Sequence, residues 1–378
     1  MTTTRIPVWP SDPVNLEILS VSEDTLSGFQ ADPFGEIAAR CNVPPETVLE
    51  RVRAMLEAGT IRRVRQTVQA TRLAPGALVA WKLPAAKLEA AFEFMAGSDP
   101  FSGHVVLRST DQGAAGHEFR LWTTLKVPQG FSLLRHCQYL QTRVGAEAFR
   151  AMPARRLFVL GVGHLRRRLV QVGSRSDVPT EARSTDVIAL DPRQWAVLAA
   201  LKRELTAHEI RRDVWTSRAA EANLSREDFE AVARELEGLG LIGRFSTFLE
   251  HVKELDGGER VTRYNALFHW AVPAGRELEA GREVGRHHIL THAYWREAGP
   301  EFGDVNIMGV AHGLDKDLLL EHKRAIDQHL SDIGMPFTYT NVFWGGRSEI
   351  KPSEVLPGAY ERWCRDSDLD PEIMKEAG

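Results

Sequence analysis

The stretch Ala77-Leu78-Val79-Ala80-Trp81-Lys82-Leu83-Pro84 returns later in the chain as Ala266-Leu267-Phe268-His269-Trp270-Ala271-Val272-Pro273, with the Trp and the Pro in register. Both stretches are rich in apolar and aromatic residues and stop at a proline, a pattern typical of a buried β-strand. Self-similarity over so long a distance predicts the duplication and fusion of one unit, not a solenoid of short repeats. The segments around the two strands should therefore match as well.

Each of these strands is followed by alternating helix and strand signals. After the first come a helix over Lys87–Met95, strands over His104–Arg108 and Phe119–Val127, a helix over Phe131–Val144 and a closing strand over Arg156–Val162. After the second come a helix over Arg276–Val284, strands over Arg286–Arg296 and Asp304–His312, a helix over Asp315–Ile333 and a closing strand over Pro336–Trp344. The order βαββαβ predicts a ferredoxin-like domain in each copy.

A helix-turn-helix pattern precedes each predicted domain. In the first copy Asp32 caps a helix that begins with Pro33, a second helix covers Pro45–Ala58, and an extended segment starts at Thr60. In the second copy the predicted helices are Gln194–Leu205, Ala207–Glu221 and Ser225–Leu239, followed by Gly240–Phe245, which echoes Gly59–Val64. Both patterns predict a winged helix-turn-helix, called a head below.

The predicted fold class is therefore α+β, a tandem duplication of a winged helix-turn-helix head plus a ferredoxin-like domain. The predicted boundaries are 1–75 for the first head, 76–168 for the first ferredoxin-like domain, 169–186 for a polar linker, 187–262 for the second head, 263–349 for the second ferredoxin-like domain and 350–378 for a C-terminal tail. The two copies are expected to pack about a pseudo-twofold axis as an internal pseudo-dimer. A further homodimer stays open, and the tail is a lid, a packing strap or a loose terminus.

Composition excludes several classes of protein. The chain has 378 residues, a formal net charge of −4 and no apolar run of the length that spans a membrane, so a soluble protein is expected. Its start has no signal-peptide organisation. Cys41, Cys137 and Cys364 lie far apart without a CxxC pair, which favours a reducing cytoplasm over a disulfide framework. The net charge gives no global attraction to nucleic acid.

The strand predicted for Arg286–Arg296 carries the most chemistry. At a period of two, His292, Tyr294 and Arg296 project from one face. An imidazole, a phenol and a guanidinium on one face could serve as a proton donor, a hydrogen-bond donor and an anion clamp. The alternative is the exposed polar face of a half-buried sheet.

Several short motifs, taken together and in order, resemble those of the Lrp/AsnC family, and within it those of the siroheme decarboxylases. The resemblance covers nearly the whole chain. It is carried by Gly59-Thr60-Ile61-Arg62-Arg63, His117-Glu118-Phe119-Arg120-Leu121-Trp122 and Met152-Pro153-Ala154-Arg155-Arg156-Leu157-Phe158 in the first copy, and by Thr291-His292-Ala293-Tyr294-Trp295-Arg296, Val305-Asn306-Ile307 and His312-Gly313 in the second.

Two departures from the family pattern stand out. The first copy has Leu107-Arg108-Ser109-Thr110-Asp111 where the His-x-Tyr-x-Arg pattern is expected, which predicts that only the second copy keeps that set. The closing segment Asn341–Ser348 also differs from the family's basic ending. A single site in the second copy follows, with the first copy supplying the opposite wall.

The resemblance implies an AsnC-type ligand-binding domain and an enzyme that removes carboxyl groups from siroheme or a related iron tetrapyrrole, with no added cofactor. His292 would be the proton donor or an axial ligand to the tetrapyrrole iron, assisted by Tyr294 and Arg296. Because siroheme carries eight carboxylates, several cationic donors are needed. The substrate-binding candidates are Arg108, Arg120, Asn306, His312 and Arg347.

Three other functions compete with this one. A ligand-responsive transcription regulator would use the same heads, but DNA binding is disfavoured because Ser225–Glu235 carries more acids than arginines. A tetrapyrrole sensor or carrier would bind without chemistry. A zinc site among the histidines is the weakest reading, because adjacent histidines on a strand point to opposite faces.

Overall fold

The computed structural model describes residues 6–161, 167, 169–250 and 261–376. The chain folds as two units. The first comprises Met1–Gln69, Val162–Leu169 and Ala189–Arg263, and the second comprises Ala70–Gly161, Val170–Ile188 and Tyr264–Gly378. The predicted domain end at residue 168 lies outside the described residues, as do the last predicted strand residue Val162 and most of the segment before the predicted boundary at 262.

Both units contain helices and strands. The helices are α1 (Pro13–Ser22), α2 (Pro33–Cys41), α3 (Pro45–Glu57), α4 (Ala70–Leu73), α5 (Leu88–Gly97), α6 (Leu133–Val144), α7 (Pro192–Lys202), α8 (Trp215–Glu221), α9 (Arg226–Gly238), α10 (Glu277–Gly285), α11 (Lys316–Asp332), α12 (Pro357–Asp366) and α13 (Pro371–Met374). The strands are β1 (Leu26–Ser27), β2 (Ile61–Val68), β3 (Gly76–Lys82), β4 (Ser102–Ser109), β5 (Phe119–Lys126), β6 (Ala148–Leu160), β7 (Ile242–Leu249), β8 (Tyr264–Ala271), β9 (Leu290–Arg296), β10 (Ile307–Gly313) and β11 (Tyr339–Ile350). A mixed α/β fold is thereby confirmed.

In the first unit the predicted start of α2 is confirmed. The carboxylate of Asp32 accepts a hydrogen bond from the Gly35 backbone, Pro33 opens the helix, and Asn42 ends it in the left-handed conformation at φ 53°. The prediction of one helix over Ala207–Glu221 is wrong. A capping box between Thr206 and Glu209 closes a short 3-10 turn there, and buried Ile210 continues in an extended conformation before α8 begins.

The first unit also contains a three-stranded sheet, in the order β1-β7-β2. Strands β2 and β7 pair antiparallel, with Ile61 opposite Leu249 and Val68 opposite Ile242. The start of each strand therefore faces the end of the other, so the extended segments that follow the two helix-turn-helix patterns meet each other.

The second unit contains a closed antiparallel sheet in the order β10-β8-β11-β4-β5-β3-β6-β9. Each half repeats one strand order, β4-β5-β3-β6 in the first and β9-β10-β8-β11 in the second. The β6–β9 and β11–β4 pairs join the halves into one sheet. Helices α5 and α6 cover the outside of the first half, and α10 and α11 cover the second.

Successive strand residues alternate between the outer helices and the interior of the closed sheet. Trp81 and Trp270, the residues that mark the repeat, are both fully buried and pack outward against the helices. A separate apolar cluster fills part of the interior, including Trp122, Leu267 and Phe343. Alternation therefore decides which polar side chains also point into this water-poor interior.

The C-terminal segment packs against the first half of the sheet. Tyr360 of α12 is fully buried, stacks on Phe131 at 4.3 Å and shares a 2.8 Å hydrogen bond with His136 of α6. Ser132 donates its backbone N–H to the Met374 carbonyl at 2.8 Å. Through residue 376 the tail is therefore a packing strap. Among the described residues, no helix combines the length and hydrophobicity needed to cross a membrane.

We expect Tyr360→Phe to lower the free energy of unfolding by about 1–3 kcal/mol, because it leaves the buried His136 imidazole without its phenol partner. Chemical unfolding followed by tryptophan fluorescence measures the loss. Tyr139→Phe is the matched control, since Tyr139 packs on Trp363 in the same cluster. An equal loss in both variants would assign the effect to packing instead of the hydrogen bond.

Candidate functional site

The three predicted side chains of β9 share the interior face of the closed sheet. Ala293, between them in sequence, packs outward with the helix-facing core. The rings of His292 and Tyr294 lie 6.1 Å apart and nearly parallel, and the Arg296 guanidinium lies 4.4 Å from the Tyr294 ring centroid. Arg296 also donates to the Met152 carbonyl at 2.5 Å. The strand therefore presents a continuous row of imidazole, phenol and guanidinium.

A hydrogen-bonded chain links side chains of four strands, β4, β8, β10 and β9, near the start of β9. Arg108 of β4 donates to the Asn265 side-chain oxygen of β8 at 3.1 Å, and the Asn265 amide lies 3.0 Å from His312 Nε2 of β10. His312 Nδ1 lies 3.3 Å from Thr291 Oγ1, which is 3.1 Å from His292 Nδ1. We call Arg108, Asn265 and His312 the Arg108 end of the interior. Thr291 links this end to His292.

Sequence reasoning missed Thr291 and Asn265 as members of this chain. Thr291 directly precedes His292 in the quoted motif, so its position was a usable signal. Asn265 had none, because its role depends on the pairing of β8 with β10, where it lies opposite His312.

Strand pairing corrects the predicted alignment of the two copies. In each half, the repeat tryptophan pairs with a residue of that half's third strand, β5 or β10. The same residue also pairs with a residue of the second strand, β4 or β9. The two series are Trp81, Leu121 and Leu107 in the first half and Trp270, Ile307 and Trp295 in the second. Leu107 is therefore the structural counterpart of Trp295.

With that anchor, His104-Val105-Val106-Leu107-Arg108 is the counterpart of His292-Ala293-Tyr294-Trp295-Arg296. The prediction that Leu107–Asp111 occupies the motif position is wrong by three residues, because short degenerate motifs do not fix an offset as backbone pairing does. The first copy keeps the His and the Arg, and only the tyrosine is replaced, by Val106.

Three predicted substrate-binding residues lie away from the interior row. Arg347 faces outward, where it stacks on Phe92 and pairs with Glu89 and Glu93 of α5. The Asn306 side chain exchanges two hydrogen bonds with the Val272 backbone, at 2.8 and 2.9 Å, and so ties the start of β10 to the end of β8. Arg120 is exposed at the rim, where its Nε donates to the Arg108 carbonyl at 3.0 Å.

Burial without a nearby carboxylate dominates the electrostatics of the interior. It lowers the pKa of Arg108 to about 10 and that of Arg296 below its usual value, yet both stay charged near neutrality. Burial also raises the pKa of Tyr294, which keeps the phenol protonated. The set consists of permanent cations beside a phenol that is a hydrogen-bond donor, an arrangement suited to an anionic ligand.

A further imidazole, His269, lies on the interior face of β8, fully buried beside Phe343 at 5.1 Å between ring centroids. Neither ring nitrogen has a hydrogen-bond partner within the described part of the chain. Burial, with Arg108 and Lys323 nearby, lowers the pKa of His269 to about 3. The ring is therefore neutral at physiological pH. No group of three or more His, Cys, Asp or Glu residues among those described is arranged to hold a metal ion.

One part of the chain is similar to a known family of ligand-binding domains. Residues 74–158 match the family model described as the AsnC-like ligand binding domain. That match spans the first βαββαβ half of the second unit.

Whole-chain comparisons lead to particular relatives. The chain is 23% identical over 341 residues to the siroheme decarboxylase of Hydrogenobacter thermophilus, a span covering 89% of this chain and 93% of that protein. It also resembles two crystal structures of the siroheme decarboxylase NirDL, one of them in complex with an iron-uroporphyrin III analogue. Each has a TM-score of 0.63 and 18% identity, covering 93% and 94% of this chain and 96% and 100% of theirs. The resemblance inferred from the motifs is confirmed.

The buried His269 gives a testable pH dependence. Its pKa is about 3 in the folded chain and near 6.5 when unfolded, so below pH 6.5 the unfolded state binds the extra proton. Stability is therefore lost as pH falls, by about 2 kcal/mol between pH 7 and pH 5 from this residue. Urea unfolding at both pH values should show a smaller loss in His269→Leu than in the wild type.

The same substitution at exposed His288 is the control, and it should keep the wild-type pH dependence. Buried His287, whose pKa burial also lowers to about 3, remains in both variants and contributes equally to each. Equal pH dependence of wild type and His269→Leu would contradict the assignment.

Proposed function

We propose that this protein decarboxylates acetate side chains of siroheme or a closely related iron tetrapyrrole. The observation that carries the proposal is the row His292, Tyr294 and Arg296 inside a closed sheet. Its buried arginines, Arg108 and Arg296, have no carboxylate partner among the residues that the structure describes. The whole-chain similarity to a protein named siroheme decarboxylase, and to one solved with an iron-uroporphyrin III analogue, supports the same substrate class. The iron tetrapyrrole is then the substrate, and no separate cofactor is required.

Substrate binding would rest on charge. Arg108 and Arg296 are 4% and 7% exposed, and each offers a planar fork of N–H donors that matches a carboxylate. Arg120 at the rim adds a cation at the Arg108 end. His312, held between Asn265 and Thr291, is a proposed hydrogen-bonding partner of the substrate. Arg347 and Asn306 are left out of this proposal, because their side chains are committed elsewhere.

The reaction breaks the carbon–carbon bond between an acetate methylene and its carboxylate. Carbon dioxide leaves, the electron pair stays on the methylene carbon and spreads into the attached pyrrole, and a proton then converts the arm to a methyl group. The protein has to supply that proton and keep water away. His292 is the proposed donor, with its Nδ1 side oriented by Thr291 and its ring stacked along Tyr294.

His292 has a second candidate role as an axial ligand to the tetrapyrrole iron. A neutral imidazole ligates whereas an imidazolium donates a proton, so the two roles require different protonation states. The Tyr294 phenol, protonated and next to Arg296, is the proposed assisting hydrogen-bond donor in either case.

The domain proposal follows the repeat. Two copies, each a winged helix-turn-helix head before a ferredoxin-like domain, would make an internal pseudo-dimer with the boundaries given above. Equivalent elements of the two copies pair with each other: β2 pairs with β7, and the two four-stranded halves join into one sheet. This pairing supports the proposal of an internal pseudo-dimer. A cytoplasmic location is supported by the three free cysteines. A sedimentation measurement would decide whether the chain also forms a homodimer.

Replacing His292 by Ala should lower decarboxylation at least about 100-fold, because general acid catalysis contributes that much or more. Anaerobic incubation with siroheme followed by mass spectrometry measures the loss of one carbon dioxide per carboxyl group. Circular dichroism should match the wild type, and His288→Ala, at an exposed site four residues earlier, should keep activity.

The optical spectrum of the bound tetrapyrrole separates the two roles of His292. In His292→Ala, loss of turnover with an unchanged iron spectrum would support the role of His292 as proton donor. A changed spectrum would support its role as iron ligand. If the wild type binds the tetrapyrrole without any mass loss, the protein is a sensor or carrier and not an enzyme. Unchanged turnover in His292→Ala would contradict a role of His292 in the site.

The regulator hypothesis makes a separate prediction in the first unit. Three arginines of the first head that could reach phosphates are already engaged: Arg51 with Asp12 at 3.2 Å, Arg53 with the Ile210 carbonyl at 2.9 Å, and Arg63 with Glu204 at 3.4 Å. We therefore expect no salt-sensitive shift of duplex DNA at micromolar protein, because little cationic surface is left for phosphates. A shift that weakens as salt rises would revive DNA binding.

A further inference from the structure

The strands of the closed sheet are unusually poor in acidic residues. In β3–β6 and β8–β11 together, Glu349 is the one acid, against nine lysines and arginines. Lys82, Arg150, Arg155 and Arg347 find glutamate partners outside the strands. Lys126, Arg108 and Arg296, which project from interior-facing positions, have no ion pair with any described residue. The interior thus concentrates positive charge.

The two buried arginines occupy equivalent positions in the two halves. Arg296 donates to the carbonyl of Met152, and Arg108 donates to that of Phe343, at 2.5 and 3.5 Å. Met152 and Phe343 are themselves counterparts, since they lie opposite Leu78 and Leu267 in the repeated strands. The fold therefore holds one guanidinium in the same way at each end of the interior.

The neighbours of the two arginines differ. At the Arg108 end, Asn265 and His312 lie opposite each other and bind Arg108 through the Asn265 amide. The counterparts of that pair are Gly76 and Lys126, which lie opposite each other in β3 and β5. We call Arg296, Gly76 and Lys126 the Arg296 end. It has an ammonium where the Arg108 end has an imidazole, and no amide at all.

Gly76 lets the lysine reach across the sheet. A Cβ at this position would lie 2.5 Å from Lys126 Cδ and 2.9 Å from its Nζ, so the side chain lies directly over the glycine. Beyond Gly76, the neighbouring strand β6 has Pro153 opposite Ala77, and its next residue, Ala154, lies opposite Arg296 of β9. Gly76 and Lys126 are therefore in line with Arg296 across the sheet, and the lysine is directed toward that guanidinium. The glycine thus allows two cations to approach each other.

This arrangement is costly without an anion. Burial and the Arg296 charge lower the pKa of Lys126 to about 7, the effect expected for an ammonium that has lost water and gained a like-charged neighbour. Tyr294, which is neutral, lies beside Arg296, and His104 of β4, the counterpart of His292, lies opposite Thr124, two residues before Lys126. Leaving a buried charge unpaired costs roughly several kcal/mol. A carboxylate between the two cations would remove that cost.

We propose that Lys126 and Arg296 together bind one carboxylate of the tetrapyrrole, with Lys126 as a substrate-binding residue that no motif indicated. This rests on the proposed function, which supplies a ligand with many carboxylates. Arg296 offers the fork for the two oxygens, and Lys126 adds a compact charge that orients one of them. Gly76 is the positioning residue that makes room for the lysine.

The test titrates the full chain with iron uroporphyrin III and follows the absorption spectrum. Lys126→Met should weaken binding about 10- to 100-fold, since a hydrogen bond to a charged group is lost. Lys126→Arg should stay within about threefold because it keeps the charge. Lys82→Met is the matched control, at a lysine of the same sheet that already pairs with Glu118, and should bind as the wild type does.

A second readout excludes a merely structural role. At pH 8 binding should draw about one proton onto Lys126, because the carboxylate restores its ordinary pKa. Calorimetry in two buffers of different ionisation enthalpy measures that uptake, which should be smaller by that proton in Lys126→Met. Below pH 7, where Lys126 is charged without a ligand, the variant should melt at or above the wild-type temperature, since a poorly solvated, unpaired ammonium is gone. A lower melting temperature with unchanged affinity would overturn the proposal.

The outcomes separate the two proposals. Equal affinity and equal proton uptake in wild type and Lys126→Met would overturn the role of Lys126 while decarboxylation stands. Wild-type binding that depends on Lys126 but gives no mass loss from siroheme would support this inference and overturn the enzyme. Absence of any binding by the wild type would overturn both.

Discussion

Two strand junctions, β6 with β9 and β11 with β4, decide what the second unit can do. Each joins an edge of one four-stranded half to an edge of the other, so every strand of the closed sheet has two neighbours. Closure also turns both inner faces toward one interior, where charges are poorly screened. A cation placed there needs a partner from the protein or from a ligand. Within the described ranges, Arg296 has a carbonyl and a phenol as partners but no carboxylate.

The two halves agree where the fold requires it and differ where a ligand would be touched. Trp81 and Trp270 pack outward alike, and Arg108 and Arg296 donate to equivalent carbonyls. The differences include Tyr294 at the position of Val106, Lys126 at that of His312 and Gly76 at that of Asn265. In a symmetric homodimer one substitution alters both ends of a shared interior. A fused chain can change one end alone, and here the changes separate an end with one hydrogen-bonded cation, Arg108, from an end with two cationic side chains, Arg296 and Lys126.

Sequence periodicity predicted most strands and helices to within a few residues, and it predicted the common face of His292, Tyr294 and Arg296. It failed where a result depends on distant pairing. The offset between copies is set by backbone partners such as Leu121 and Leu107, which short motifs do not reveal. Arg347 turns outward because the β11 register shifts between Gly345 and Ser348, and a bulge reverses the alternation. Lys126 had no motif, although the scarcity of acids in eight predicted strands was visible in the sequence.

The difference between the Arg108 end and the Arg296 end would orient a tetrapyrrole bound between them. A tetrapyrrole carries carboxylates around its whole rim, so a pseudo-symmetric interior with two identical ends would accept it in equivalent poses related by the pseudo-twofold axis. Different ends remove that equivalence, because each pose then has its own free energy. The Arg108 end keeps its charge within an amide and imidazole network, whereas Lys126 gains its full charge only when an anion arrives. In the proposed enzyme, one pose would thereby be favoured over the other, which would fix the side chain of the macrocycle that lies beside His292.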